Sequence, residues 1–356
     1  MGTREPAIRR MKVWPPPSPG PWLLVLVAWL GWLVWSIGWI GVARAETRVT
    51  IGQGFVNAHS APLWVAVENG YFRKHGIEPD VRLIRGGATT TAALLNGELK
   101  LASMALTQVI GPATRGADLI VVMSLVDKMS YRLIVGSHVR TPEDLKGKKV
   151  AVATLSGSAY VAARLALRHL GLDLKGARIG LIQMGTDPER LAALAAGSVD
   201  GAMVLPSTAS RLPMPPYRML IDLRDASIPW LHTCLVTTRS FVRSHPAVVE
   251  GALRAVAEGT AFVLDPRNAE AVKRVIARHL RLDEPAAAEE SYRDAVEEIA
   301  WKPVPDLAGV GTVLQTMAAL GIVEEAARLK PGDIVDPSIM QRLDQEGWLD
   351  GLRPGK

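Results

Sequence analysis

Cysteine is nearly absent: Cys234 stands alone in 356 residues. No intramolecular disulfide can form, and the Cys/His spacing offers no metal site. With Leu235 and Val236 beside it, Cys234 reads as a small buried strand residue. Tryptophan is concentrated at one end, six of the ten lying in the first 45 residues (Trp14, Trp22, Trp29, Trp32, Trp35 and Trp39). An excess of one charge sign is also missing. Outside those 45 residues there are 36 basic and 34 acidic side chains, a net of +2 where the whole chain carries +6. That balance removes any case for nucleic-acid binding. Catalytic signatures are lacking as well: no G-x-S-x-G elbow, no phosphate loop ending in Lys-Ser/Thr, no H-E-x-x-H. Gly52-Gln53-Gly54 follows a strand pattern but lacks the third glycine of a dinucleotide fingerprint.

What is present begins with a leader. Arg4, Arg9, Arg10 and Lys12 precede an apolar run from Trp22 to Ala43, and Ala43-Arg44-Ala45 forms an A-x-A site before Glu46. This is the grammar of a signal peptide over residues 1–45, with translation starting at Met1 or Met11. The run is also long enough to span a bilayer, so an uncleaved membrane anchor is the alternative. No Cys lies near the cleavage site to carry a lipid.

The exported part contains one unit twice. Residues 92–102 (Ala-Ala-Leu-Leu-Asn-Gly-Glu-Leu-Lys-Leu-Ala) and 192–202 (Ala-Ala-Leu-Ala-Ala-Gly-Ser-Val-Asp-Gly-Ala) each read as a small-residue helix, a glycine cap and a strand. Strands are expected over 49–52, 78–84, 99–104, 119–125, 131–135, 149–154, 177–184, 199–205 and 231–237. From Thr238 onward proline-started helices take over, over 246–264, 266–280, 285–300, 307–320, 323–329 and 337–346. Alternating βα units predict parallel-type sheets in two lobes, with the chain crossing between them at 136–140 and 230–233. The division expected is 46–135 for the first part of lobe I, 136–232 for lobe II, and 233–356 for the mostly helical remainder of lobe I.

The loops after these strands are rich in hydroxyls and glycine: Asn57–Ser60, Gly86–Thr91, Thr107-Gln108, Ser156–Ser158, Thr186-Asp187 and Ser207-Thr208. Helix N-termini with such residues are ready anion sites, though each is equally a plain helix cap. Phe55, His59, Tyr131, Tyr160, Trp230 and His232 lie close by in sequence and serve either as ligand walls or as core. Arg85 and Arg132 are the basic residues near these loops.

Several stretches resemble the solute-binding proteins of nitrate/sulfonate/taurine-type ABC importers, a group that includes binders of thiamine-pyrimidine precursors. They are Pro62–Phe72 with His75-Gly76-Ile77, Gly86-Gly87, both repeat units, Asp144–Val152, and Leu329–Ser338. The resemblance spans essentially 46–345. It implies an α/β, type II periplasmic-binding-protein fold, with two βα lobes joined by two crossover strands and the helical C-terminal region packed on lobe I. It also implies a periplasmic or otherwise extracytoplasmic monomer that captures a small solute between closing lobes. The captured solute would pass to the permease and ATPase subunits of a transporter.

Carried over by position, the ligand-binding residues are Phe55, Asn57, His59, Gly87, Ala88, Thr89, Thr107, Gln108, Ser156, Ser158, Tyr160, Thr186, Asp187, Ser207 and His232. A sulfonate- or carboxylate-like anion suits the hydroxyls. A neutral pyrimidine-like ligand is the alternative, because few basic residues accompany them. Precursor synthases of similar fold use a Cys-rich motif that this chain lacks. The expectation is therefore a binder and not an enzyme, with neither metal nor cofactor. A membrane-anchored sensor of the same fold is the second reading.

Overall fold

The computed structural model describes residues 46–84, 86–155, 157–209, 212, 215–226, 228–353 and 355. The leader with its cleavage site, Arg85 and Ser156 lie outside the described residues. Glu46–Lys356 forms one compact unit, and no described helix is long and apolar enough to cross a membrane.

Among the described residues ten strands make two five-stranded sheets. In chain order they are β1 Thr47–Gln53, β2 Ile77–Leu83, β3 Leu101–Ala105, β4 Ile120–Val126, β5 Arg132–Val135, β6 Lys149–Val152, β7 Gly180–Gln183, β8 Gly201–Val204, β9 Arg218–Asp222 and β10 Thr233–Thr237. Helices of two turns or more are α1 Ala61–Glu68, α2 Gly87–Leu95, α3 Leu106–Thr114, α4 Ser158–His169, α5 Asp187–Ala195, α6 Pro246–Leu264, α7 Ala269–Leu280, α8 Pro285–Glu298, α9 Leu307–Ala319 and α10 Ser338–Gln345.

The first sheet runs β2-β1-β3-β10-β4 and the second β7-β6-β8-β5-β9. They are the same sheet built twice. In each, three parallel strands are followed by an antiparallel one, β10 on β3 and β5 on β8. The repeat noticed in sequence occupies equivalent places. Gly97 and Gly197 both take left-handed conformations (φ 79° and 69°) after α2 and α5, the backbone region only glycine enters freely. The strands that follow pair in matching register, Leu101 opposite Ile51 and Gly201 opposite Val150.

Three expectations need correction. The sheets are mixed, because the first strand after each passage joins its new sheet antiparallel. The first passage falls at 127–131 and not at 136–140, since β5 already pairs with β8 and β9. The chain returns through 223–232, ahead of β10. Strand β9, beside the turn-rich segment before it, was not anticipated. Local pattern cannot say which sheet a short apolar strand joins, because Arg132–Val135 looks the same beside either neighbour. Smaller differences concern element ends. The segments read as helical over 323–329 and at Pro266 are 3-10 turns, Glu324–Arg328 and Pro266–Asn268.

The continuous apolar run at β4 is buried along its whole length although β4 is an edge strand of the first sheet: Val121 packs into one apolar cluster and Ile120 and Val122 into another, so both faces are covered. Helix α6 lies directly on α1: a Cβ at Gly259 would collide with the Pro62 carbonyl oxygen. The C-terminal helices pack largely on the first sheet, α10 against β4, while Val335 and Ile299 bridge to Val121 and Val126. Helix α8 is the exception. It touches both the 3-10 turn Ala58–Ser60 and the short helix Pro206–Ala209, which follows β8 of the second sheet. One apolar cluster, including Val109 and Ile110 of α3, Val161 and Ala162 of α4 and Val310 and Val313 of α9, runs from one sheet to the other.

Candidate functional site

The loops singled out in the sequence sit at strand carboxyl ends: β1, β2 and β3 in the first sheet, β6, β7 and β8 in the second. In open α/β sheets this is where ligands bind. Two groups of the expected residues are brought together.

The first group joins helix starts. Thr107 Oγ1 and Ser158 Oγ lie 3.1 Å apart and buried, tying the start of α3 to the start of α4 across the two sheets. Gly87, at the start of α2, lies against Gln108: a Cβ there would stand 2.8–2.9 Å from the Gln108 side chain. Glycine is therefore required for α2 and α3 to approach this closely. Ala88 and Thr89 are exposed beside it. Three helix N-termini thus meet in one region, and their free N–H groups and dipoles favour an electron-rich group.

The second group lies beside the passages between the sheets. His59 and His232 are buried with ring centroids 5.7 Å apart, and Tyr131 is 5.6 Å from His232. His232 Nδ1 is 2.9 Å from Thr233 Oγ1. Burial, reinforced by the neighbouring His59, lowers the His232 pKa to about 3, so the ring is neutral. Burial likewise pushes the Tyr131 phenol well above its ordinary value. Glu298, at the end of α8, completes the group, with Oε2 2.5 Å from His59 Nε2. Sequence reading missed Glu298 because Glu297-Glu298 reads as a solvated helix face.

Other expected residues have structural partners. Asn57 Oδ1 accepts from the His59 N–H at 3.1 Å and caps the following turn. The half-buried Phe55 is held through its carbonyl, which accepts from Gln53 Nε2 at 2.7 Å; Gln53 Oε1 in turn accepts from Trp64 Nε1 at 3.1 Å. Tyr160 is half-buried, and its hydroxyl accepts from Arg164, whose other nitrogen donates to the Leu320 carbonyl at 2.7 Å. Thr186 forms a capping box with Glu189 and donates to it at 2.8 Å. Asp187 accepts from the Leu205 N–H at 2.8 Å and from Arg190. Nothing is described of the Ser207 side chain.

Arg190 is the other residue that sequence reading missed. Its side chain is 2 % exposed, donates to the Met203 carbonyl at 2.8 Å, and also reaches the Gly185 carbonyl and Asp187. Arg132, one of the two basic residues near these loops in sequence, donates to Asp222 at 2.8 Å. Burial alone would raise the Asp222 pKa, but the Arg224 and Arg132 guanidiniums outweigh it and hold the carboxyl below its usual range. Among the described residues no group of three His, Cys, Asp or Glu is placed to hold a metal. A cavity of about 480 Å³ opens elsewhere, lined by Arg164, Leu167, Leu172 and Leu320, and contains none of the expected residues.

These features can be set beside known proteins. The model of the NMT1/THI5-like family matches residues 57–269. A taurine-binding periplasmic protein of Escherichia coli K12 is 26 % identical over 224 residues, covering 61 % of this chain and 67 % of that one. Among solved structures, the alkanesulfonate-binding protein SsuA from Xanthomonas axonopodis pv. citri bound to MOPS has a TM-score of 0.66 at 18 % identity, covering 82 % of this chain and 98 % of that one. The periplasmic nitrate-binding protein NrtA from Synechocystis PCC 6803 has a TM-score of 0.66 at 14 % identity, covering 87 % and 91 %. The fold is therefore the periplasmic-binding-protein fold expected from the sequence. The chain belongs to the NMT1/THI5-like family.

Proposed function

We propose that this protein is the extracytoplasmic solute-binding component of an ABC importer, catalyses no reaction, and holds a small organic solute between two lobes. Lobe I comprises residues 46–126 and 233–356, and lobe II comprises 132–222, with 127–131 and 223–232 as hinges. The observation that carries this reading is the pair of sheets of identical strand order, whose carboxyl-end loops touch at Thr107 and Ser158. Two copies of one module facing each other make a cleft with a wall from each. The family and its taurine-, sulfonate- and nitrate-binding relatives support a solute-binding role.

The residues we assign to the walls are Phe55, Gly87, Thr89, Thr107, Gln108, Ser158, Tyr160 and His232. Asn57, Thr186 and Asp187 act as caps that fix the loops. An oxygen-rich group such as a sulfonate or carboxylate suits the helix starts. Arg132 and Arg190 support it only at a distance, since each is already engaged by a carboxylate. Thermal unfolding in the presence of alkanesulfonates, taurine, nitrate, small carboxylates and pyrimidines tests the reading. At least one class raises the melting temperature in a concentration-dependent way; no shift with any of them rejects it. The leader carries the second reading, an uncleaved anchor. N-terminal sequencing of exported protein decides, with Glu46 in first place expected for cleavage.

A further inference from the structure

A helix leaves its last four carbonyls without intrahelical partners, and its C-terminus carries partial negative charge. At the end of α9 a donor from the other lobe answers this. The carbonyl of Leu320, the C-cap residue of α9, accepts from Arg164 at 2.7 Å. The two residues are 156 apart in sequence. Arg164 lies on α4 of lobe II, and Leu320 belongs to lobe I. The same guanidinium donates to the Tyr160 hydroxyl at 3.3 Å and stands 5.8 Å from the centre of that ring. Side chains on a helix lean toward its N-terminus, so Arg164 reaches back one turn to a residue of the proposed cleft wall. Among the described residues no carboxylate pairs with Arg164, so its charge is directed at neutral acceptors.

The place of this bond gives it leverage. Helix α9 starts on the return passage between the sheets: a Cβ at Gly309 would stand 3.2 Å from the Leu231 nitrogen and the Trp230 carbonyl carbon. Its 13 residues then carry Leu320 about 20 Å from that hinge. A bond at the far end of a helix seated on the hinge resists rotation of the lobes through a long arm. Close packing does not do this instead, because the cavity of about 480 Å³ lined by Arg164, Leu167, Leu172 and Leu320 opens beside the bond. Between Thr107 and Ser158 the lobes are joined by two neutral hydroxyls, whereas a charged donor makes the stronger hydrogen bond.

We infer that Arg164 is a positioning residue for solute capture. Through the Leu320 carbonyl it fastens lobe II to the end of α9, and it sets how far the lobes part without touching the solute. This rests on the two-lobe capture reading above and adds the contact that governs closure.

The test reads lobe spacing directly. Spin labels on Arg115→Cys, after α3, and Lys175→Cys, in the loop after α4, are placed in the whole exported protein; both positions are exposed, and the native Cys234 is buried. Without any solute, Arg164→Gln is expected to give a longer and broader distance distribution than the parent. Arg164→Lys keeps a charged donor and should restore most of the parent distribution. A side chain that merely supports α4 would lower the melting temperature and leave the spacing alone. Affinity is then measured by calorimetry for taurine, ethanesulfonate, nitrate and propionate. Each of these that binds the parent should bind Arg164→Gln about tenfold more weakly, by one common factor, since closure and not a solute contact is lost. Unchanged spacing in Arg164→Gln overturns the inference and leaves the capture reading intact. Losses that differ between probes overturn it too, because Arg164 then touches the solute. No binding of any probe to the parent counts against the capture reading, while the spacing still decides the role of Arg164.

Discussion

Arg190 shows how much a single side chain organises here. It is buried at the carboxyl end of the second sheet's strands and ties the start of α5 to the end of β8 through Met203, Gly185 and Asp187. Removing one partner of a buried pair strands the other, at about 3–5 kcal/mol. Arg190→Ala is therefore expected to lower the unfolding free energy by that order in urea titration; a loss under about 1 kcal/mol would contradict the role. His232 provides a pH test. Its folded-state pKa of about 3 lies below the ordinary 6.5. Between those values the unfolded chain binds the proton and the folded one does not, so stability falls as pH falls, by up to about 1.4 kcal/mol per pH unit. Between pH 6.5 and 5, His232→Gln is expected to flatten the decline in melting temperature. Parallel slopes for the two proteins would show that the ring is not the titrating group. Neither residue's importance was visible beforehand in the same way. His232 stood out as a ring close to the loops in sequence, whereas Arg190 looked like any charge on an amphipathic helix.

At the scale of elements, packing distances decide what sequence patterns cannot. Helix α6 was legible to the residue, with Pro246 opening it and periodic apolar residues through Leu264. Its partner was not. Gly259 and Pro62 show that α6 is pressed on α1, with no room for a side chain at 259. Gly259→Ala should gain helix propensity yet lose about 1–3 kcal/mol through overpacking, a net destabilisation readable by thermal unfolding. A gain in melting temperature would mean that the helices separate without cost. The repeated unit behaves differently. Its helix, left-handed glycine and strand were readable in both copies because every step is local. The capping box at Thr186 and Glu189 is equally local.

For the whole molecule, the telling contact is the one between Thr107 and Ser158. It joins the two sheets through the starts of α3 and α4. If the lobes open and close, this contact forms and breaks. A Thr107→Cys/Ser158→Cys pair is expected to form a disulfide on oxidation, since the hydroxyls it replaces are 3.1 Å apart. The lone native Cys234 is buried and should not compete. The oxidised protein should exchange solute slowly or not at all, with exchange restored by a reductant. Undiminished exchange in the locked form would remove lobe opening from the mechanism.

Local interactions along the chain specify most of the strands and helices, the duplicated module, and the loops that gather at strand ends. These follow from periodicity, caps and glycine, which act over a few residues. Long-range packing decided which sheet β5 joins, and that β5 and β10 each pair antiparallel. It also decided that Asp187 and Arg132 are engaged by distant parts of the protein, and that Glu298 meets His59 from 239 residues away. The reason is physical. A polar side chain's role depends on whether its hydrogen bonds are already filled, and its partners are set by how distant elements pack.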